Sequence, residues 1–203
     1  MEDLINTIKL NEVLGINYMS VMVMCPTGRA AQGQLLMTKE KWYPIFLKLS
    51  QMKERNEIKL NFKIVPPNEG SMFWLFYFPL KYYNRMDLLE YWNQDYDCKE
   101  NCEVSCQAGL KSISVMCNGD VYGCDLMIGI DEFKACNITK SSIADIWENS
   151  ETFYKLRNIE KKDLKGKCYD CKYNWCGGGC RSADYNLDGD IRGSDLSCFY
   201  CEG

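Results

Sequence analysis

Residues 168–180 read CYDCKYNWCGGGC. Cys168 and Cys171 form a C-x2-C pair, and Cys176 and Cys180 form a C-x3-C pair around three glycines. Four thiols on one short loop suit an iron–sulfur cubane, which is bound by cysteine thiolates. Glycine reaches backbone dihedrals closed to other residues, so the amides of such a loop can turn toward sulfur. N–H···S contacts of that kind tune the potential of a cluster.

More cysteines lie on both sides of this loop. Cys98, Cys102 and Cys106 recur with three residues between each. Residues 117–124 then read CNGDVYGC, in which Asn118-Gly119-Asp120 is a hairpin turn signal that would present Cys124. Cys198 and Cys201 make another C-x2-C pair. The chain has 203 residues with 13 cysteines and no histidine. An odd number of thiols cannot all pair as disulfides, and such density in a reducing compartment points to metal or redox chemistry. Histidine-based triads, mixed cysteine–histidine zinc sites and histidine-ligated haem are excluded. Acid–base work would fall to Asp, Glu, Lys, Tyr or Cys, and no residue is singled out as catalytic.

The remaining composition is ordinary, with 46% apolar residues and a net charge of −4. No basic excess suggests nucleic acid or an anionic membrane surface as a partner. The first residues, MEDLINTIKLNEVLG, lack the sections of a signal peptide. The longest apolar stretch, residues 72–78, ends at Pro79 and falls far short of the roughly 20 residues that span a bilayer. A cytoplasmic protein with no membrane segment is expected.

Cysteine density divides the chain at residue 97. Residues 1–97 hold only Cys25, and residues 98–203 hold the other twelve. In the first part, Leu4, Ile5, Ile8, Val13 and Leu14 fit one helix face, with Gly15 as a stop. Residues 16–24 read as a strand and 25–33 (CPTGRAAQG) as a loop. Thr38 can cap a second helix with an apolar face of Trp42, Ile45, Phe46, Leu49 and Met52. Residues 58–65 read as a second strand, ended by Pro66 and Pro67. Helix–strand–helix–strand order suggests a parallel sheet, with too few strands to close an eight-stranded barrel. The aromatic run SMFWLFYF, residues 71–78, reads as a buried strand or an apolar wall packing the core. In the second part, residues 142–145 resemble a capping box that opens one helix through about Arg157, burying Ile143, Ile146, Trp147, Phe153 and Leu156. The rest is loop, for which metal ligation can replace an apolar core.

Taken together, the cysteines resemble the SPASM domain of radical S-adenosylmethionine (SAM) enzymes. That pattern runs Cys, a gap, Gly-x4-Cys, a longer gap, C-x2-C-x5-C-x3-C and a final Cys. Cys106, Gly119-x4-Cys124, Cys168, Cys171, Cys176, Cys180 and Cys198 follow it in order. The stretch CNITKSSIADIWENSETFYKLRN and the loop PTGRA, residues 26–30, are also similar to segments of these enzymes. The resemblance implies two auxiliary [4Fe-4S] clusters. The first would use Cys106, Cys124, Cys180 and a fourth thiol, with Cys102 the first choice and Cys98 the second. The second would use Cys168, Cys171, Cys176 and Cys198. Two departures stand out: four residues, not five, separate Cys171 from Cys176, and Cys201 is an extra thiol that could replace Cys198. Cys25, Cys117 and Cys136 receive no role beyond that of small buried hydrophobes.

The implied fold is α+β, a partial radical SAM (β/α) barrel over 1–97 followed by a loop-rich SPASM domain over 98–203. The 203 residues contain no C-x3-C-x2-C, the motif that holds the SAM-cleaving cluster in this family. The chain is therefore expected to start partway through the barrel. It would act with SAM only when a missing N-terminal half or a partner is supplied. Unpaired strand edges would then be covered by a completing subunit or by self-association. A peptide or protein is the expected substrate. A non-catalytic electron-transfer or peptide-recognition module is an alternative. Zinc bound by four thiolates is another, with Cys168, Cys171, Cys198 and Cys201 as one site and Cys102, Cys106, Cys117 and Cys124 as a second. Arg29 would face the barrel mouth, with a structural role in its loop at least as good an explanation; Asp120 and Asp125 flank the Cys124 hairpin and would be polar neighbours of a cluster, with turn chemistry and solvation explaining them equally well.

Overall fold

The computed structural model describes residues 2–32, 37–66, 73–92, 104, 106–173, 176–195 and 198–199. In chain order the main elements are α1 (Glu2–Val13), β1 (Tyr18–Met22), α2 (Arg29–Gln32), α3 (Lys39–Glu54), β2 (Asn61–Val65) and α4 (Phe78–Tyr82). They continue with β3 (Ser114–Val115), β4 (Asp120–Tyr122), β5 (Lys134–Asn137), α5 (Ile143–Asn149), α6 (Glu151–Arg157) and α7 (Arg181–Asp188). The chain divides into two compact units. One comprises Met1–Met24, Leu36–Lys99 and Ser197–Gly203, and the other Cys25–Leu35 and Glu100–Leu196.

In the first unit, β1 and β2 pair in parallel, with Tyr18 opposite Asn61 and Met22 opposite Val65. The expected helix–strand–helix–strand order is present, and α+β describes the whole. Strand β2 alternates as a half-buried strand should, with Phe62 and Ile64 inside. Strand β1 buries no residue, and Tyr18 and Met22 are exposed. The apolar face expected for α1 is only partly used. Ile8 is buried, but Val13 and Leu14 at the helix end are exposed. Gly15 has φ +72° and ends the helix as read, since only glycine takes that conformation freely.

Helix α3 buries Trp42, Tyr43, Phe46, Leu49 and Met52, close to the expected face. Thr38 stands at its N-cap but makes no side-chain cap bond. The aromatic run is not a strand over its described part: Phe73–Tyr77 form a π-helical turn that leads into α4. A continuous apolar run has no period to separate helix from strand, whereas Pro79 near the start of α4 favours helix. The core-packing reading of this run holds, because Trp74, Leu75, Phe76 and Phe78 are buried. Trp92 stacks on Phe46 with ring centres 4.9 Å apart and donates its indole N–H to Ser50 Oγ at 2.9 Å.

The second unit is built on a three-stranded antiparallel sheet in the order β3-β4-β5. The expected hairpin joins β3 to β4, and Gly119 at its turn has φ +86°. Asp120 explains itself there: its carboxylate lies 2.6 Å from Lys134 Nζ and accepts from Asn137 and Asn118. The core gathers Ala108, Val121, Tyr122, Met127, Phe133, Ile146, Phe153 and Leu156. The single helix expected over 142–157 is two helices, broken at Ser150. Ser150 is extended (φ −66°, ψ 122°) and its Oγ accepts from the Phe153 amide, so it ends α5 and caps α6. Ser142 Oγ accepts from the Asp145 amide at 3.1 Å, the expected cap of α5. Ile143 is exposed, contrary to expectation, while Trp147 is half-buried against the core. Among the described residues no helix is long and apolar enough to cross a membrane.

Candidate metal centre

The thiols of the second unit gather in two groups, and local backbone geometry explains both. Cys106 and Cys124 flank a close crossing of two backbone segments. The Gly109 amide donates to the Gly123 carbonyl at 3.2 Å, and Ser112 Oγ donates to the same carbonyl at 2.8 Å. A Cβ on Gly123 would lie 2.9 Å from the Gly109 nitrogen, so only glycine permits this approach. The Cys124 sulfur faces the amides of Leu126 and Met127, and the Cys106 sulfur faces that of Ala108. Burial nevertheless pushes the Cys124 thiol up to about 12, helped by the charge of Cys106 and then of Cys180. Burial raises Cys106 too, and the charge of Cys180 adds to it.

Cys180 is the third member. It precedes α7, and the Ala183 and Ser182 amides point to its sulfur. A fourth thiol stands beside it. Cys25 Sγ donates to Cys180 Sγ at 3.9 Å across 155 positions of sequence. This contact lowers Cys180 and raises Cys25, because one proton is shared between two half-buried sulfurs. The small-hydrophobe reading therefore fails for Cys25. It also fails for Cys117, which is exposed, whereas Cys136 packs half-buried against the core.

Cys168, Cys171 and Cys176 form the second group. The sulfur of Cys176 is in the field of both others, and burial raises it to about 11 against the opposing amide of Gly178. Cys168 is buried, donates its amide to Ser194 Oγ at 3.1 Å, and receives the Asp195 amide on its sulfur at 3.4 Å. Cys171 is half-buried, and its carbonyl accepts from Lys161 Nζ at 3.1 Å.

The loop between the groups fits its surroundings tightly. Gly178 and Gly179 have φ +77° and +84°. A Cβ on Gly178 would come within 2.6 Å of Leu164 Cδ1, and one on Gly179 would overlap the Asp195 carboxylate. Arg181, which the sequence reading passed over, is wholly buried. Its guanidinium donates to the carbonyls of Gly178, Gly193 and Ile191 and lies 2.6 Å from Asp184. The Asp184 carboxyl is pushed up to about 9 by burial, against Arg181, and feels Asp195, Cys180 and Cys168. It thus lies in the field of both thiol groups. The one signal for Arg181 was its place directly after the last cysteine of the glycine loop.

The structure thus brings together Cys106, Cys124 and Cys180, and separately Cys168, Cys171 and Cys176. Cys198 belongs to the other unit, next to Phe199, which packs on Tyr43 and Trp74. Cys102, Cys98 and Cys201 lie outside the described residues. Arg29 and Asp125 are exposed and take no part. Among the described residues, no three His, Cys, Asp or Glu side chains close on one point as ligands of a single ion would. The donor set is all sulfur, and the Asp195 amide donates to the sulfur of Cys168. Such a set fits an iron–sulfur group.

Comparison with known proteins agrees. Residues 106–172 match SPASM, an iron-sulfur cluster-binding domain. All of the chain aligns with the AdoMet-dependent heme synthase of Methanosarcina barkeri, at 26% identity over 54% of that protein. A PqqA peptide cyclase of Xanthomonas euvesicatoria is 31% identical over 44% of this chain and 24% of its own length. The mycofactocin maturase MftC of Mycobacterium tuberculosis is 33% identical over 39% of this chain and 20% of its own. The chain spans about half the length of the heme synthases it matches. It is similar to the C-terminal part of these radical SAM-family enzymes.

Proposed function

We propose, from this similarity to the C-terminal part of radical SAM–SPASM enzymes, that the chain holds two auxiliary [4Fe-4S] clusters. One rests on Cys106, Cys124 and Cys180, for which the sequence pattern offers Cys102 as the fourth ligand. The other rests on Cys168, Cys171 and Cys176, for which the sequence pattern offers Cys198 as the fourth ligand. The observation that carries this reading is the glycine loop that bears both Cys176 and Cys180, clamped at Gly178 by the buried Arg181 guanidinium, with the Asp195 amide on the Cys168 sulfur.

Bound clusters would supply one-electron transfer or a Lewis-acidic iron near a substrate. The chain's own residues have other tasks. Amides of Leu126, Met127, Gly178 and Ala183 stabilise thiolate charge. Arg181 fixes the loop to residues 191–193.

Cleavage of SAM belongs to a C-x3-C-x2-C segment that these residues do not contain. Residues 1–97 are the end of a radical SAM barrel on this reading. Exposed Tyr18 and Met22 on β1, with Val13 and Leu14 beside that strand in sequence, support a surface completed by further barrel segments or another subunit. The substrate is a peptide, as the names of the shorter-matching relatives suggest. A heme precursor is the second reading, favoured by the alignment of the whole chain with a heme synthase. The setting is the cytoplasm, without nucleic acid or membrane as partner.

Anaerobic purification and metal analysis test the proposal. About eight irons and eight sulfides per chain are expected, from two four-iron cubanes. Stoichiometric zinc in a colourless protein would reject it. SAM cleavage should appear only with a polypeptide carrying C-x3-C-x2-C. Redox cycling without any cleavage in that mixture would instead support the non-catalytic module.

A further inference from the structure

We infer that Cys25 is the fourth thiolate of the cluster bound by Cys106, Cys124 and Cys180. This deepens the two-cluster reading and rests on it. The pattern of cysteines within 98–203 leaves that ligand open, with Cys102 and Cys98 as the candidates. The structure offers another thiol from a distant part of the chain.

Three observations converge. Cys25 Sγ lies 3.9 Å from Cys180 Sγ, and Ser182, two residues past Cys180, donates its hydroxyl to the carbonyl of Leu126, two residues past Cys124, at 2.6 Å. Cys180 therefore links Cys25 to the turn that carries Cys124. Second, the loop around Cys25 is part of the cysteine-rich unit. Residues Cys25–Leu35 group with Glu100–Leu196, while the chain on either side groups with the other unit. Third, this placement is held by structure. Pro26 is buried, the Ala30 amide donates to the Thr27 carbonyl at 3.1 Å, and α2 packs on α7, the helix that Cys180 opens.

A half-buried cysteine needs no partner to be stable. One held sulfur-to-sulfur against a cluster ligand is different, because its sulfur is already placed beside the site where that ligand would bind iron. On ligation the Cys25 thiol gives its proton to solvent and its sulfur bonds to the iron left open by the other three. No electron is transferred in this step. The loop 25–35 would thereby be tied to the C-terminal cysteines by iron.

The test uses the full chain reconstituted anaerobically with ferrous iron and sulfide. Iron per chain is measured, with the electron paramagnetic resonance spectrum of the reduced protein. Cys25→Ala should fall from about eight irons to about four, while Cys98→Ala and Cys102→Ala keep about eight. Cys25→Ser, which preserves volume and offers oxygen, should retain iron but shift the resonance of one cluster. It also decides the matter if Cys25→Ala loses its helical circular dichroism. Wild-type iron and spectrum in both Cys25 variants, with loss in Cys102→Ala or Cys98→Ala, would overturn the inference and leave the two-cluster reading standing. Full iron in Cys124→Ala as well would overturn that reading itself.

Discussion

Replacing Gly179 by alanine tests the glycine loop directly. Gly179 has φ +84°, and its new Cβ would overlap the Asp195 carboxylate. The left-handed backbone alone costs about 1–2 kcal/mol for a residue with a side chain. Asp195 is 4% exposed, and its amide meets the Cys168 sulfur. Displacing a buried polar group from its partners costs about 1–3 kcal/mol more. The total is about 2–5 kcal/mol, which for a unit of this size lowers the melting temperature by roughly 10–30 °C. Gly129→Ala is the control, because Gly129 has φ +83° but nothing within 4 Å of a Cβ. It should lose only the backbone share, about 1–2 kcal/mol. Differential scanning calorimetry of both variants, with iron content after reconstitution, separates overlap from strain. Equal melting temperatures and full iron in both would refute the packing argument.

Other outcomes follow from the same geometry. Arg181→Met should cost about 3–5 kcal/mol by denaturant unfolding, and Arg181→Met with Asp184→Leu should recover much of it. No recovery in the double variant would show that the carbonyl bonds of Arg181, not its pairing with Asp184, hold the loop. Ser142→Ala should cost about 0.5–2 kcal/mol through the cap of α5, read as a lower melting temperature. The Asp120 carboxyl is held below its ordinary value of 3.8 by Lys134, then by Asn137, so the stability it contributes is present above that value and fades as pH falls through its lowered one. Acid titration of Asp120→Asn should lack that loss, and an unchanged acid transition would dismiss the pair.

The sequence exposed the site unevenly. Within 98–203 the candidate ligands sit on short loops and a hairpin, so they stand out by spacing, and the resemblance to the SPASM pattern is what groups Cys106 with Cys124 and Cys168 with Cys171 and Cys176. Cys25 reaches Cys180 only through tertiary folding over 155 positions, and no local pattern encodes that. The break at Ser150 was hidden because Ile146, Trp147, Phe153 and Leu156 sustain an apolar pattern across it. A serine that bonds the Phe153 amide overrode that pattern. Residues 73–77 form helix where a strand or an apolar wall was read, since consecutive aromatic residues pack equally well from either. Arg181 was missed because a charge beside metal ligands reads as solvated until its burial is seen.

Cys176 and Cys180 are four positions apart on a loop clamped at its middle by a buried guanidinium. Whatever freezes one end of that loop removes conformational freedom from the other. Iron uptake at the two groups should therefore be positively cooperative. During stepwise addition of iron and sulfide, chains would pass from empty to full, and half-loaded species would be scarce in a native mass spectrum.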